Sequence, residues 1–122
     1  MDVVGGWISE IRYFYVHQSM EPLSAHAQAL WHYLMYRANN TFWSFPLVIR
    51  VTELSGALNM SVSAVKKARA ELVKGGYLLH ERQQGNQAAR YFILSNIRPG
   101  KVVEPLKVLP GGKEKKRKEM IS

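Results

Sequence analysis

The segment that most narrows the choice of fold is "VTELSGALNMSVSAVKKARAELVKGG", residues 51–76. It sets two short helical patterns on either side of a very tight turn. Asn59 tolerates the left-handed backbone that ends a helix, and Ser61 is a preferred N-cap for the next one. Thr52 is positioned to cap the first helix, whose Leu54, Ala57 and Leu58 are expected to face inward. The second runs from Val62 to about Lys74 and stops at Gly75-Gly76, with Val65, Ala68 and Leu72 as its buried stripe. Two helices joined in this way form a helix-turn-helix.

The flanking segments complete the pattern. "YLLHERQ" and "ARYFIL" are strand-like runs around "QGNQA", where Gly85 and Asn86 supply the positive-φ residues of a hairpin tip. Upstream, Ser24 caps the clear amphipathic helix "AHAQALWHYLMYRAN", with Ala27, Leu30, Trp31, Leu34, Met35 and Ala38 on one apolar face. "WSFPLVIRV" reads as a strand that Pro46 confines to a start or an edge. Residues 7–19 place Ile8, Ile11, Phe14 and Tyr15 at helical spacing, although their β-branched and aromatic content leaves a strand open. The expected fold is mainly α with a small β-hairpin. It is a winged helix-turn-helix with a three-helix core, an additional N-terminal helix and a two-to-three-stranded wing sheet. The expected organisation is an N-terminal helical extension (1–22), a winged-helix domain (23–97) and a basic flexible linker or tail (98–122), in which Pro99, Pro105 and Pro110 punctuate a charged, aromatic-free stretch. Such a linker suggests a further domain in a parent protein.

Charge gives this fold a direction. The 122 residues carry a net charge of +8, unevenly distributed. Residues 1–49 hold Arg12 and Arg37 against Asp2, Glu10 and Glu21, a net of −1. Residues 50–97 reach +4 and residues 98–122 reach +5, so positive charge begins with the helix-turn-helix. That polarity is the footprint of a polyanion-binding face. With Ser61 as cap, Ser63, Lys67, Ala70 and Lys74 fall opposite the buried stripe and Lys66 lies at its border. Lysines there can meet phosphates or guanine acceptors in the major groove, a serine can exchange hydrogen bonds, and alanine permits close approach. Around the hairpin tip, Arg82, Gln84, Asn86, Gln87 and Arg90 offer donors to phosphates and a minor groove. Arg69 sits near the apolar side and must snorkel outward or pair with an acid such as Glu53 or Glu71. Tyr33, Tyr36 and Arg37 lie off the apolar stripe of the long helix and form a candidate protein interface.

Other chemistry is poorly provided for. The chain has no cysteine, which removes disulfides, thiolate metal sites and cysteine nucleophiles. His17, His26, His32 and His80 lack metal-ligand spacing. There is no nucleophile–base–acid set, and "PGGKEKK" lacks the Gly-Lys-Ser/Thr ending of a phosphate-binding loop. The expectation is therefore a non-enzymatic protein without cofactors. No apolar run approaches the roughly 20 residues of a membrane span, and the first residues lack the pattern of a signal peptide. A cytoplasmic location is expected, without membrane partners.

"FYVHQSMEPLSAHAQALWHYLMYRANNTFW", "VTELSGALNMSVSAVKKARAELVKGGYL" and "QAARYFI" together resemble the N-terminal winged-helix region of DnaD-like replication proteins of phages and Firmicutes, over about residues 6–95. The resemblance implies a replication-initiation or primosome role, with double-stranded DNA and a replicative helicase or its loader as partners. It also implies a rival use of the fold, because the winged-helix portion of such proteins can serve self-association and scaffolding. It transfers no base-contacting residue. A transcriptional regulator is equally compatible with a helix-turn-helix by itself.

Overall fold

The structure is a computed structural model and describes residues 3–4, 6–82, 88–104 and 107–108. In chain order the elements are β1 (Val3–Val4), α1 (Gly6–Met20), α2 (Ala25–Asn40), β2 (Leu47–Ile49), α3 (Val51–Leu58), α4 (Val62–Lys74), β3 (Leu78–Glu81), β4 (Ala89–Ile93) and β5 (Lys107–Val108). Helices α2, α3 and α4 pack together, and β2, β4 and β3 form an antiparallel sheet in that spatial order. This is a winged-helix-like arrangement, mainly helical with a small three-stranded sheet.

Local chemistry explains most boundaries. Ser24 caps α2 by accepting from the Ala27 amide at 3.2 Å, and Ser61 caps α4 by accepting from Ala64 at 3.0 Å. Asn59 adopts the left-handed conformation (φ 55°, ψ 46°) that turns the chain between α3 and α4. Gly76 takes φ 83° just after α4, a conformation open to glycine at little cost. Thr52, by contrast, is not a cap. Helix α3 begins at Val51, two residues earlier than a Thr52 cap implies, with extended Arg50 at the N-cap position and no side-chain capping bond. Its buried face is Leu54 flanked by Val51, Ser55 and Leu58, which leaves Ala57 exposed rather than inward.

The sheet carries the far wall of the core. Leu47 pairs with Tyr91 and Leu78 with Ile93, so Leu47, Ile49, Leu78, Tyr91 and Ile93 line one buried face. Opposite them lies the α2 stripe, which is buried as the periodicity requires. Helix α2 is also tied to α4 by a cross-helix contact: both the amide and the hydroxyl of Ser24 donate to the Glu71 carboxylate at 2.7 Å.

Helix α1 forms, and of its four spaced apolar residues Phe14 and Ile11 face the core while Ile8 and Tyr15 do not. Phe14 is fully buried and stacks on Trp31, with ring centroids 3.9 Å apart and 11° between planes. Ile8 and Tyr15 are exposed instead, and Glu10 is buried. At roughly 100° per residue, Glu10 lies only about 40° from Phe14 around the helix, whereas Ile8 and Tyr15 lie about 100–120° away. The carboxylate is tolerated because it is hydrogen-bonded. Ser95 Oγ and the Asn96 amide donate to its two oxygens, the latter at 2.6 Å, and the Asn96 side chain donates to the Glu10 carbonyl.

Residues 98–104, expected to open a flexible linker, fold back onto the sheet. Val103 is buried, its amide donates to Ile93 O at 2.9 Å, Leu94 bridges Val102, and Arg98 pairs with Glu104 at 3.0 Å. Further on, β5 pairs antiparallel with β1, Val3 opposite Val108. Helix α1 is tied into the fold at two points, Phe14 stacking on Trp31 of α2 and Glu10 holding Ser95 and Asn96 just beyond β4. Residues 109–122 lie outside the described residues.

The Glu10 clamp yields a direct prediction. Glu10→Gln presents an amide N–H₂ to one of two converging donors, so one hydrogen bond is lost and two donors are left facing each other. Stability should fall by about 1–3 kcal/mol, read in chemical denaturation. An unchanged midpoint would show that the clamp contributes nothing.

Candidate nucleic-acid interface

Helix α4 separates its residues as its period dictates. Val65, Ala68 and Leu72 are buried against the core. Ser61, Ser63, Lys66, Lys67, Ala70 and Lys74 are all exposed, and no described segment covers them. Ser61 has a structural duty, its oxygen accepting from Ala64 to start the helix. Ser63, Lys66, Lys67 and Ala70 follow at three- and four-residue steps, so they gather on one outward strip over the N-terminal two turns.

Lys74 stands apart from this group. It lies roughly 16 Å from Ser63 along the axis, at 1.5 Å per residue. There it lines a broad surface groove of about 690 Å³ with His17, Glu21, Glu71 and Tyr77. Two carboxylates thus share its surroundings, which lowers the local positive potential. In the same groove burial raises the Tyr77 phenol above its ordinary range, while Gln18, bonded to its hydroxyl at 3.2 Å, pulls the other way.

The described part of the wing brings Arg82 and Arg90 to the open end of the hairpin, both exposed. Arg90 is paired across the sheet with Val48 on one side and Glu81 on the other. Because Tyr91 next to it is buried, Arg90 stands on the outer face of the sheet, away from the helices. Gln84, Asn86 and Gln87 lie outside the described residues.

Arg69 finds neither of its expected acids. Glu53 is taken by Arg37 at 2.6 Å and Glu71 by Ser24. Arg69 instead donates to the Tyr91 hydroxyl at 3.0 Å, bracing α4 against β4. Beside that pair, on β3, is His80, half-buried, its ring 5.3 Å from that of Tyr91. Burial first, then the charges of Arg69 and Arg82, hold its titration below the ordinary histidine range. The imidazole is therefore neutral at pH 7.

The aromatic flank of α2 divides. Arg37 donates to Glu53 and, at 3.3 Å, to the Tyr33 hydroxyl, so these two candidates serve an internal clamp between α2 and α3. Tyr36 remains exposed. It borders an apolar slot of about 240 Å³ lined also by Trp7, Ile11, Met35 and Trp43. Phe42, which the sequence did not single out, is 87% exposed with φ 54°. Trp43 is half-buried at the edge of the core. The signal that could have flagged Phe42 is its place just after the Asn39-Asn40 helix end, where a large side chain has no stripe to join.

Among the described residues there is no cluster of three or more His, Asp or Glu side chains able to hold a metal ion, and no helix long and apolar enough to cross a membrane. An exposed helix about 10–12 Å across, with side chains, is of a size to enter a major groove about 12 Å wide. No family model, no curated protein and no solved structure matches the chain.

Proposed function

We propose that this chain is a non-enzymatic double-stranded-DNA-binding winged helix of a replication-initiation or primosome protein, with α4 lying in the major groove and the wing on the sugar-phosphate backbone. The observation that carries the reading is the uncovered strip of Ser63, Lys66, Lys67 and Ala70 at the positive end of a helix presented by a helix-turn-helix. Lysines on an ordinary surface helix need no such placement. Here they coincide with the onset of positive charge in the chain. The replication role rests on the resemblance to DnaD-like proteins, and the same surface would serve a transcriptional regulator. Origin or promoter fragments competed against each other separate those two. The basic test is a salt-titrated binding assay on random duplex and single strands. Duplex affinity should fall steeply with salt as counterions are released, and its absence at low salt would refute the reading.

A second reading, self-association or docking of a helicase loader, is favoured by one specific feature: the exposed Phe42, next in sequence to Trp43, which lines an apolar slot with Tyr36. Sedimentation of the chain should then show concentration-dependent association that Phe42→Ser weakens. A monomer at all concentrations removes the self-association form.

A further inference from the structure

We propose that the junction between α4 and β3 is a proton-linked seat for one backbone phosphate, in which Arg69 and Arg82 supply the charge and His80 takes up a proton as the phosphate arrives. This rests on the DNA-binding reading and adds to it a site and a chemistry that neither helix nor wing explains.

The geometry sets up the coupling. His80 lies opposite Tyr91 in the β3–β4 register, with ring centroids 5.3 Å apart and 33° between planes. Tyr91 receives Arg69 on its hydroxyl. The Nε2 atom of His80 is buried and meets no hydrogen-bond partner among the described groups. The charges acting on the imidazole are Arg69 from α4 and Arg82 just past the end of β3. Glu81 and Arg90 are a cross-strand pair on the exposed face of the sheet, and no carboxylate offsets the two arginines at the ring. Burial, and then the charges of two arginines, disfavour the protonated ring, and its Nε2 makes no hydrogen bond that would favour it.

A phosphodiester brought against Arg82 and Arg69 reverses that balance. Its negative charge offsets the repulsion from the two arginines that adds to the effect of burial, so the protonated ring is less disfavoured than in the free protein. Linkage then fixes the sign: if bound DNA raises the midpoint of His80, lowering the pH must tighten DNA binding by the same factor. The gain begins as pH falls through the midpoint in the complex and levels off below the midpoint in the free protein. A midpoint raised by one pH unit corresponds to about tenfold in affinity.

The test uses the whole chain and a random duplex at constant ionic strength, at pH 8 and pH 5.5. The wild type should bind several-fold to about tenfold more tightly at the lower pH. His80→Phe, which keeps a ring against Tyr91 but cannot take a proton, should bind duplex with that gain abolished. If His80→Phe retains the full pH dependence, the seat is refuted while DNA binding stands. If the wild type binds no duplex at either pH, the DNA reading and the seat fall together. Should the variant not fold, the wild type alone decides by NMR: the His80 ring titration must move upward when duplex is added, and a midpoint left in place overturns the proposal.

Discussion

Replacing Lys66 and Lys67 together with alanine is expected to weaken duplex binding roughly 60-fold near 0.1 M salt. The figure follows from counterion release, in which each neutralised phosphate contributes a factor of about 10^0.9 at that salt concentration. The slope of log affinity against log salt should flatten by about two. Both lysines are exposed, so stability should change by no more than about 0.5 kcal/mol. The same exchange at Lys74 should cost less, because Glu21 and Glu71 already share its groove. This ordering along one helix distinguishes a helix presented to DNA by its N-terminal half from a diffuse basic surface, where any lysine would count equally. Unchanged affinity in a folded Lys66→Ala, Lys67→Ala protein would remove α4 from the interface.

Phe14→Ala is expected to lower stability by about 3–5 kcal/mol, the usual cost of deleting a fully buried aromatic side chain. For a chain of 122 residues that corresponds to a fall in Tm on the order of 10–25 °C. Against a total stability of about 5–15 kcal/mol, such a loss leaves the variant marginal or unfolded. The magnitude follows from what Phe14 touches. It stacks on Trp31, and its ring edges meet Tyr15, His32 and Tyr77, so its removal opens a cavity between α1 and the helical layer. Chemical denaturation followed by tryptophan fluorescence reports it directly through Trp31. A loss under about 1 kcal/mol would mean that α1 is the detachable extension its position in the sequence suggests.

The helix-turn-helix and the inward side of α4 were legible without coordinates because both depend on neighbours within a few residues. Asn59 can adopt a left-handed conformation and Ser61 can reach the Ala64 amide whatever the rest of the chain does. Val65, Ala68 and Leu72 share a face by helical period alone. The same locality set the lysines outward. What no window of the sequence could supply are the pairings across long separations. Glu10 reads as a surface acid until Ser95 and Asn96, more than eighty residues later, offer it donors.

Residues 98–104 read as a linker because prolines and a short apolar run carry no periodicity. Val103 is nevertheless held by Ile93 and by the space left beside the sheet. Arg69 was expected to snorkel outward or to pair with an acid such as Glu53 or Glu71, but Arg37 and Ser24 engage those two, and the Tyr91 hydroxyl accepts from it instead. Periodicity and capping are properties of a single segment and so are written in it. Which polar groups a buried or half-buried side chain meets depends on where distant segments close upon one another, and only the folded chain decides that.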